Sequence, residues 1–300
     1  MRKYFKGFYF KHQKSDQTLC LIAGQADTGR FIQIITNDFS AKVPWTKGNH
    51  FSRKGIRLNI RTPRITLTGT IRYGRFSPIR YDIMGPFRFL PMECRHGIIS
   101  MRHRLYGSVR LNGKTIDFTD GVGYIEMDSG CSFPSSYLWI QANEFISRTA
   151  NVCVQSEVQS EAGCSIMAAA ASIPFCGLHF RGCICVIQYE GKEYRLATYL
   201  GVRVVLCTEN RLILKQGRYR LDIRMKSRNA RRLSAPAQGK MTRRILEAAS
   251  CPAEFAFYVD GICRFHLYAP RASLECVGSK ERRGRRNIWK KREMRDYVHI

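Results

Sequence analysis

Apolar and polar residues alternate with a period of two along most of the chain. Gly55-Ile-Arg-Leu-Asn-Ile-Arg61 and Ile65-Thr-Leu-Thr-Gly-Thr-Ile-Arg-Tyr73 are the clearest runs, and that period sends successive side chains to opposite faces of a β-strand. Tight-turn dipeptides stand between such runs. Asn112-Gly113 separates residues 107–111 from 114–118. Both central positions of a type I′ hairpin need positive φ, which Asn and Gly tolerate. Glu190-Gly191 and Asp260-Gly261 mark two further hairpins, and residues 194–206, 211–214 and 218–225 are strands bounded by polar turns. One stretch departs from the rule. Met241, Ile245, Leu246 and Ala249 recur at helical spacing with Thr242 as a cap, which predicts one short helix over 240–249.

Many short strands joined by tight turns predict an all-β fold of antiparallel barrels or sandwiches. A chain of 300 residues is at the upper limit for one hydrophobic core, so two such units sharing a face are expected. They divide as 1–118 and 119–277, with the seam in the 118–143 region. Residues 147–163 are polar and lack turn chemistry, and read as an inserted loop in the second unit. Residues 278–300 hold nine Lys/Arg against three acids with few apolar anchors, and read as a basic, disordered tail.

Charge changes the picture only in part. Fifty Lys and Arg against 23 Asp and Glu give +27, a field that attracts polyanions. Most of that charge is spread over strand-like segments, as on a solvated basic surface. No RNP-like aromatic strand, helix-turn-helix or zinc-finger spacing accompanies it, so no specific nucleic-acid partner is expected. The tail suits peripheral contact with an anionic membrane surface. The N-terminal Met1-Arg-Lys-Tyr-Phe-Lys-Gly-Phe-Tyr-Phe-Lys-His12 is broken by charge and lacks a signal peptide's apolar run. The longest charge-free apolar stretch, 164–178, contains Pro174 and falls short of the ~20 residues a membrane helix needs. A cytoplasmic location follows as the expectation, at most peripheral to the inner membrane face. The twelve cysteines then read as reduced thiols. They include no Cys-x-x-Cys, only Cys183-x-Cys185, so no metal is expected. Nor is a nucleotide or flavin cofactor, because no glycine-rich phosphate loop is present.

The chemistry is densest in two segments, Pro91-Met-Glu-Cys-Arg-His-Gly97 and 118–143. In a strand, Tyr124, Glu126 and Asp128 share one face while Ile125 and Met127 take the other; Tyr137, Trp139, Gln141 and Asn143 share a face of the next. An aromatic-plus-amide face beside a two-carboxylate face suits a pocket that is apolar for a chain and polar at one end. The same carboxylates, next to Gly and Ser, also suit pairing with Arg53 or Arg95.

These residues carry a family resemblance. Gly123-Tyr-Ile-Glu-x-Asp-x-Gly-x-Ser-Phe-Pro134 followed by Trp139-Ile-Gln-Ala-Asn143 resembles the signature of tocopherol cyclases and their bacterial relatives. Asn49-His-Phe-Ser-Arg-Lys-Gly-Ile56, Met84-Gly-Pro-Phe87, Met92-Glu-Cys-Arg-His-Gly97, Phe180-Arg-Gly182, Ala197-Thr-Tyr199 and Leu233-Ser-Ala-Pro236 keep the family's order over about residues 6–275. The resemblance implies two lipocalin-like barrels packed together and a cofactor-free isomerase. Its substrate would be a small hydrophobic prenylated phenol or quinol, closed to a chromanol by acid. A carboxylic acid kept protonated by a dry site must protonate the double bond, aromatic faces shelter the cation, and a base takes the phenol proton. Glu126 or Asp128 is the expected acid, with Glu93 and His96 as acceptor or partner. Tyr124, Tyr137 and Trp139 are the expected cation-facing wall, and Gln141 and Asn143 the quinol-binding groups. The pattern departs at Met127, where the family usually has Lys, and at Ser129, where relatives often have Trp. A non-catalytic carrier of a hydrophobic isoprenoid is the alternative on the same pocket.

Overall fold

Period-two patterning yields two large antiparallel sheets in the computed structural model, which describes residues 3–147, 163–175, 178–226 and 229–278. The first sheet runs in hydrogen-bonding order Ser40–Pro44, Gly29–Thr36, Gln17–Ala26, Phe5–Lys14, Val122–Gly130, Cys94–Leu111, Thr66–Tyr73, Gly55–Arg61 and His50–Ser52, with Lys114–Asp117 beside Cys94–Leu111. The second runs Lys192–Ala197, Leu178–Tyr189, Ser165–Phe175, Tyr137–Ala142, Ile262–Val277, Lys240–Val259, Tyr219–Met225, Arg211–Gln216 and Arg203–Thr208; Ile146–Ser147 and Arg231–Ala237 attach to its two long strands.

The expected hairpins are present. Asn112 and Gly113, Glu190 and Gly191, and Asp260 and Gly261 all have positive φ, between 48° and 88°. One expectation is overturned and two are narrowed. Residues 240–249 are no helix: they open the 20-residue strand Lys240–Val259, paired on one side with Arg231–Ala237. Pairing overrides the helix-favouring Met, Arg, Leu, Glu and Ala of that stretch. The break between sheets falls between Gly130 and Tyr137, inside the 118–143 region expected for the seam but past the boundary at 118, because Val122–Gly130 pairs with Phe5–Lys14 and Cys94–Leu111 in the middle of the first sheet. Closed barrels are not observed either: among the described residues both hydrogen-bonding orders stay open. Most of 147–163 and of 278–300 lies outside the described residues. No helix among the described residues is long and apolar enough to cross a membrane.

Each sheet curls around an apolar core of its own. Val43 and Leu58, from opposite ends of the first sheet's order, meet in a core with Phe10, Leu21, Ile34, Phe118 and Ile125. Phe145, Phe255, Phe257, Leu221 and Leu274 anchor the core of the second. A third cluster lies between the sheets and draws on both: Tyr9, Cys20, Ile35, Met101 and Tyr124 from the first, and Trp139, Met167, Val186, Leu233 and Ile245 from the second. Neighbours in sequence thus part company. Phe10, Leu21 and Ile125 enter the first sheet's own core, whereas Tyr9, Cys20 and Tyr124 face the other sheet. Strands buried on both faces explain the short apolar runs Leu19–Ala23 and Phe31–Ile35, the latter broken only by Gln33. The sheets are tied by hydrogen bonds as well as by apolar contact: Gln33 Nε2 donates to the Ser234 carbonyl and Ser234 N–H donates to Gln33 Oε1, both at 2.9 Å.

Candidate active site

Two features set the position of the site: the register of Val122–Gly130 and a connection that crosses to the second sheet. In register, Glu126 lies between Tyr9 and Ile98, and Asp128 between Gly7 and His96. Alternation turns Tyr124, Glu126 and Asp128 toward the second sheet. The connection after Tyr73 runs over that sheet, where Arg195 donates to the carbonyls of Tyr81 and Asp82 and Tyr199 Oη–H to that of Ile83. It carries the short 3-10 helix Gly85–Phe89, whose Gly85 has φ +51°; a Cβ there would come within 2.6 Å of the Tyr199 ring. Met84, Phe87 and Met92 of this segment cover an inter-sheet cavity of about 170 Å³.

The cavity wall is largely apolar and carries a set of aromatic rings, with Phe5, Tyr9, Phe31, Phe133, Tyr137, Trp139 and Phe180. Ring pairs brace it: Tyr9 meets Trp139 edge-on at 5.5 Å, and Phe133 meets Phe5 at 5.4 Å and Tyr137 at 5.9 Å. Into this wall are set four carboxyl groups: Glu126 and Asp128 from the first sheet, Glu247 and Glu275 from the second.

Glu126 is 5% exposed. Its Oε2 accepts from Tyr124 Oη–H at 2.5 Å and from Trp139 Nε1–H at 3.2 Å, and His96 Nε2 lies 3.4 Å away. Burial raises its pKa to about 7; the His96 charge opposes that rise, while the Asp128 charge adds to it. Oε2 is occupied by donors, so the proton of the neutral acid belongs on Oε1. His96 Nδ1 bonds Asp128 Oδ1 at 2.8 Å. Burial alone would lower the imidazole pKa, but the Glu126 and Asp128 carboxyls outweigh it and hold it at about 9. The arrangement is an imidazole held by Asp128 through Nδ1, with its second nitrogen facing a carboxyl that is divided between acid and carboxylate near pH 7. His96, Glu126 and Asp128 also form a group whose ligand atoms lie within 4.8 Å of one another. A cation there would compete with the His96–Asp128 bond.

The second sheet supplies its own acids. Glu247 Oε1 accepts from Tyr9 Oη–H at 2.6 Å, and burial raises its pKa to about 7, against the pull of the Tyr9 bond and the Lys11 charge. Glu275, its register neighbour across the hairpin, accepts from Tyr137 Oη–H. Burial, then the Glu247 charge, pushes its pKa well up.

Of the residues expected from the sequence, Glu126, Asp128, His96, Tyr137 and Trp139 line the cavity together, with Tyr124 fully buried behind Glu126. Asp128 is tied to His96 rather than to Arg53 or Arg95. The others lie elsewhere. Glu93 is exposed, just before the strand begins, and it is its backbone carbonyl that is engaged, by Cys131 and Ser132 N–H. Gln141 and Asn143 share the Trp139 face but run past the end of the cavity. There Gln141 Oε1 accepts from the buried Lys11 ammonium at 3.0 Å, and Asn143 Nδ2–H donates to the Gly123 carbonyl at 2.9 Å. Sequence reasoning missed Tyr9, Glu247 and Glu275. The signal for Glu247 was available as Met241, Ile245, Glu247 and Ala249 at period two, hidden beneath the helical spacing.

A family model described as tocopherol cyclase-like matches residues 7–199. The chain belongs to this family. The match includes the Glu126–His96–Asp128 group, Tyr9 and Trp139, and stops before Glu247 and Glu275. Among solved structures, a crystal structure of CghA with Sch210972 aligns at TM-score 0.57 and 7% identity, covering 92% of this chain and 88% of that one. Kievitone hydratase from Nectria haematococca aligns at TM-score 0.51 and 11% identity, covering 92% and 89%. At these identities the likeness concerns the fold alone. No curated protein matches the chain by sequence.

Proposed function

We propose that this chain is a cofactor-free cyclase of the tocopherol cyclase type, which closes a chromanol ring on a prenylated hydroquinone. The observation that carries the reading is Glu126. Its carboxyl is buried in an aromatic cavity, pushed up to about 7 by desolvation, and fixed by Tyr124 and Trp139 through one oxygen. Such an acid is half neutral near pH 7 and well matched to proton transfer. Oε1–H adds its proton to the trisubstituted double bond, and the tertiary cation forms beside the faces of Tyr9 and Trp139, whose quadrupoles favour it. The phenol oxygen then closes on the cation and releases its proton. His96, held by Asp128, keeps a positive charge 3.4 Å from Glu126 as that carboxyl ionises.

Incubation of the purified protein with a prenylated hydroquinone, followed by mass spectrometry and chromatography, tests this. A product of unchanged mass with chromanol retention is expected. Glu126→Gln should lower its rate by about 10²–10⁴-fold, the range for loss of a general acid. The kinship in fold with a protein named a hydratase makes a product heavier by one water the informative alternative outcome. Substrate that binds and returns unchanged would favour the non-catalytic carrier instead.

A further inference from the structure

Cyclisation needs a proton acceptor as well as a donor, and the first sheet does not supply one that is free. His96 carries its charge against Asp128, and Glu93 lies outside the cavity. The second sheet presents Glu247 instead, 1% exposed yet lining the cavity. Its Oε1 is taken by Tyr9 Oη–H at 2.6 Å, and Oε2 has no donor among the described residues. The Lys11 ammonium behind it favours the ionised form, while Glu275 is bonded to Tyr137 and gains no such cation. Of the two neighbouring carboxyls, Glu247 is therefore the one whose ionised form a cation supports.

We infer that the phenolic oxygen of the substrate docks against Glu247 and that Glu247 is the proton acceptor, on the wall facing Glu126. This rests on the cyclase reading and adds a stereochemical consequence. The double bond lies between the two sheets. Its π electrons take the proton from Glu126 Oε1 on one face, forming a C–H bond. The phenol oxygen forms the C–O bond on the other face while its O–H bond breaks toward Glu247 Oε2. Product and substrate are isomers, and the two carboxyls exchange protons with solvent once the product leaves. Hydrogen and oxygen add anti.

Two measurements decide it. The first needs no turnover: binding of a substrate analogue with a saturated side chain is compared with binding of its phenol methyl ether. Wild-type protein should prefer the phenol by about tenfold, through a charge-assisted hydrogen bond. Glu247→Gln should reduce that preference to within about twofold, and Glu126→Gln should leave it intact. An unchanged preference in the Glu247 variant, or none in the wild type, overturns the assignment. The second is turnover in D₂O with an E-configured prenyl hydroquinone, reading the relative configuration of C–D and C–O by NMR. Anti addition is expected, and syn addition assigns both proton transfers to one carboxyl and overturns the inference. Absence of any chromanol counts against the cyclase reading alone, and the binding comparison still decides where the phenol docks.

Discussion

The faces that each sheet turns inward and the faces the two sheets turn toward each other are built from the same alternating strands, yet they hold different chemistry. The second sheet's inner core is hydrocarbon and ring: Phe145 meets Phe255 edge-on at 5.3 Å, and Phe257 stacks on Tyr219 at 5.9 Å. The layer between the sheets buries Glu126, Glu247, Glu275, Lys11, Gln33 and Gln141 among its apolar side chains. Burying an ionisable group costs free energy unless it is neutral or well partnered. The inner cores therefore carry the stability of the fold, and the shared layer gives some of it up to hold acids at the pKa that proton transfer needs. A strand with two buried faces can serve both purposes, one on each side.

The sharpest way to break this contrast is to remove mass from one layer and charge from the other. Phe255→Ala should cost about 3–5 kcal/mol, as lost burial plus a residual cavity. Glu247→Gln should leave stability unchanged or raise it, because the amide still accepts from Tyr9 and need never ionise. Denaturant titration of both variants checks the pair. A Glu247 variant as unstable as the phenylalanine variant would make the shared layer structural.

Proton linkage sharpens the comparison further, since the two regions respond to pH with opposite signs. Glu126 and Glu247 have folded pKa values near 7 against an ordinary 4.5. Between these values the folded state holds more protons than the unfolded one. Their contribution is thus complete below about pH 4.5 and is lost as pH rises through 7, on the order of 3 kcal/mol for one such shift. His96, raised to about 9 from 6.5, extends the loss toward alkaline pH. The first sheet's own core does the reverse. His12, bonded to Tyr73 Oη at 2.8 Å, and His103, 4.7 Å from the Tyr73 ring, are lowered by burial to about 4 and 3. Their contribution is complete above pH 6.5 and is lost as pH falls through those values. Melting temperature followed from pH 3 to 9 should fall at both ends. The Glu126→Gln, Glu247→Gln double variant should flatten the decline between 4.5 and 7 and leave the acid limb in place. Identical profiles for variant and wild type would remove the linkage.

The sequence made one of these regions far easier to read than the other. Hairpins at 112–113, 190–191 and 260–261 follow from local turn chemistry, and the shared face of Tyr124, Glu126 and Asp128 follows from alternation. Alternation names a face but not a depth. Trp139 and Gln141 lie on one face of one strand, yet only Trp139 reaches the cavity. Contacts between distant segments are not legible in one sequence at all: Tyr9 meets Glu247 across 238 positions. The helix expected over 240–249 shows how the two failures compound, because apolar residues at 241, 245 and 249 satisfy the spacing of both element types. Only the pairing with Arg231–Ala237 chooses between them.

The smallest expected effect separates the regions most cleanly, because it uses one methyl group twice. Gly69 in the first sheet has φ +136°, and a Cβ there would come within 2.5 Å of the Ser108 carbonyl oxygen. Gly7 lines the cavity beside Asp128, and its added Cβ would meet only Ile22 Cγ2, at 3.6 Å. Gly69→Ala should therefore destabilise the protein. Gly7→Ala should be neutral or stabilising by up to about 1 kcal/mol, since alanine narrows the unfolded ensemble without strain in the folded one. The same methyl intrudes on the space a prenyl chain would fill, so KM should rise several-fold with kcat little changed, the pattern of lost uniform binding. If Gly7→Ala altered neither KM nor the affinity for a saturated analogue, the ligand would have to lie away from Asp128, and the carboxyls between the sheets would need another purpose.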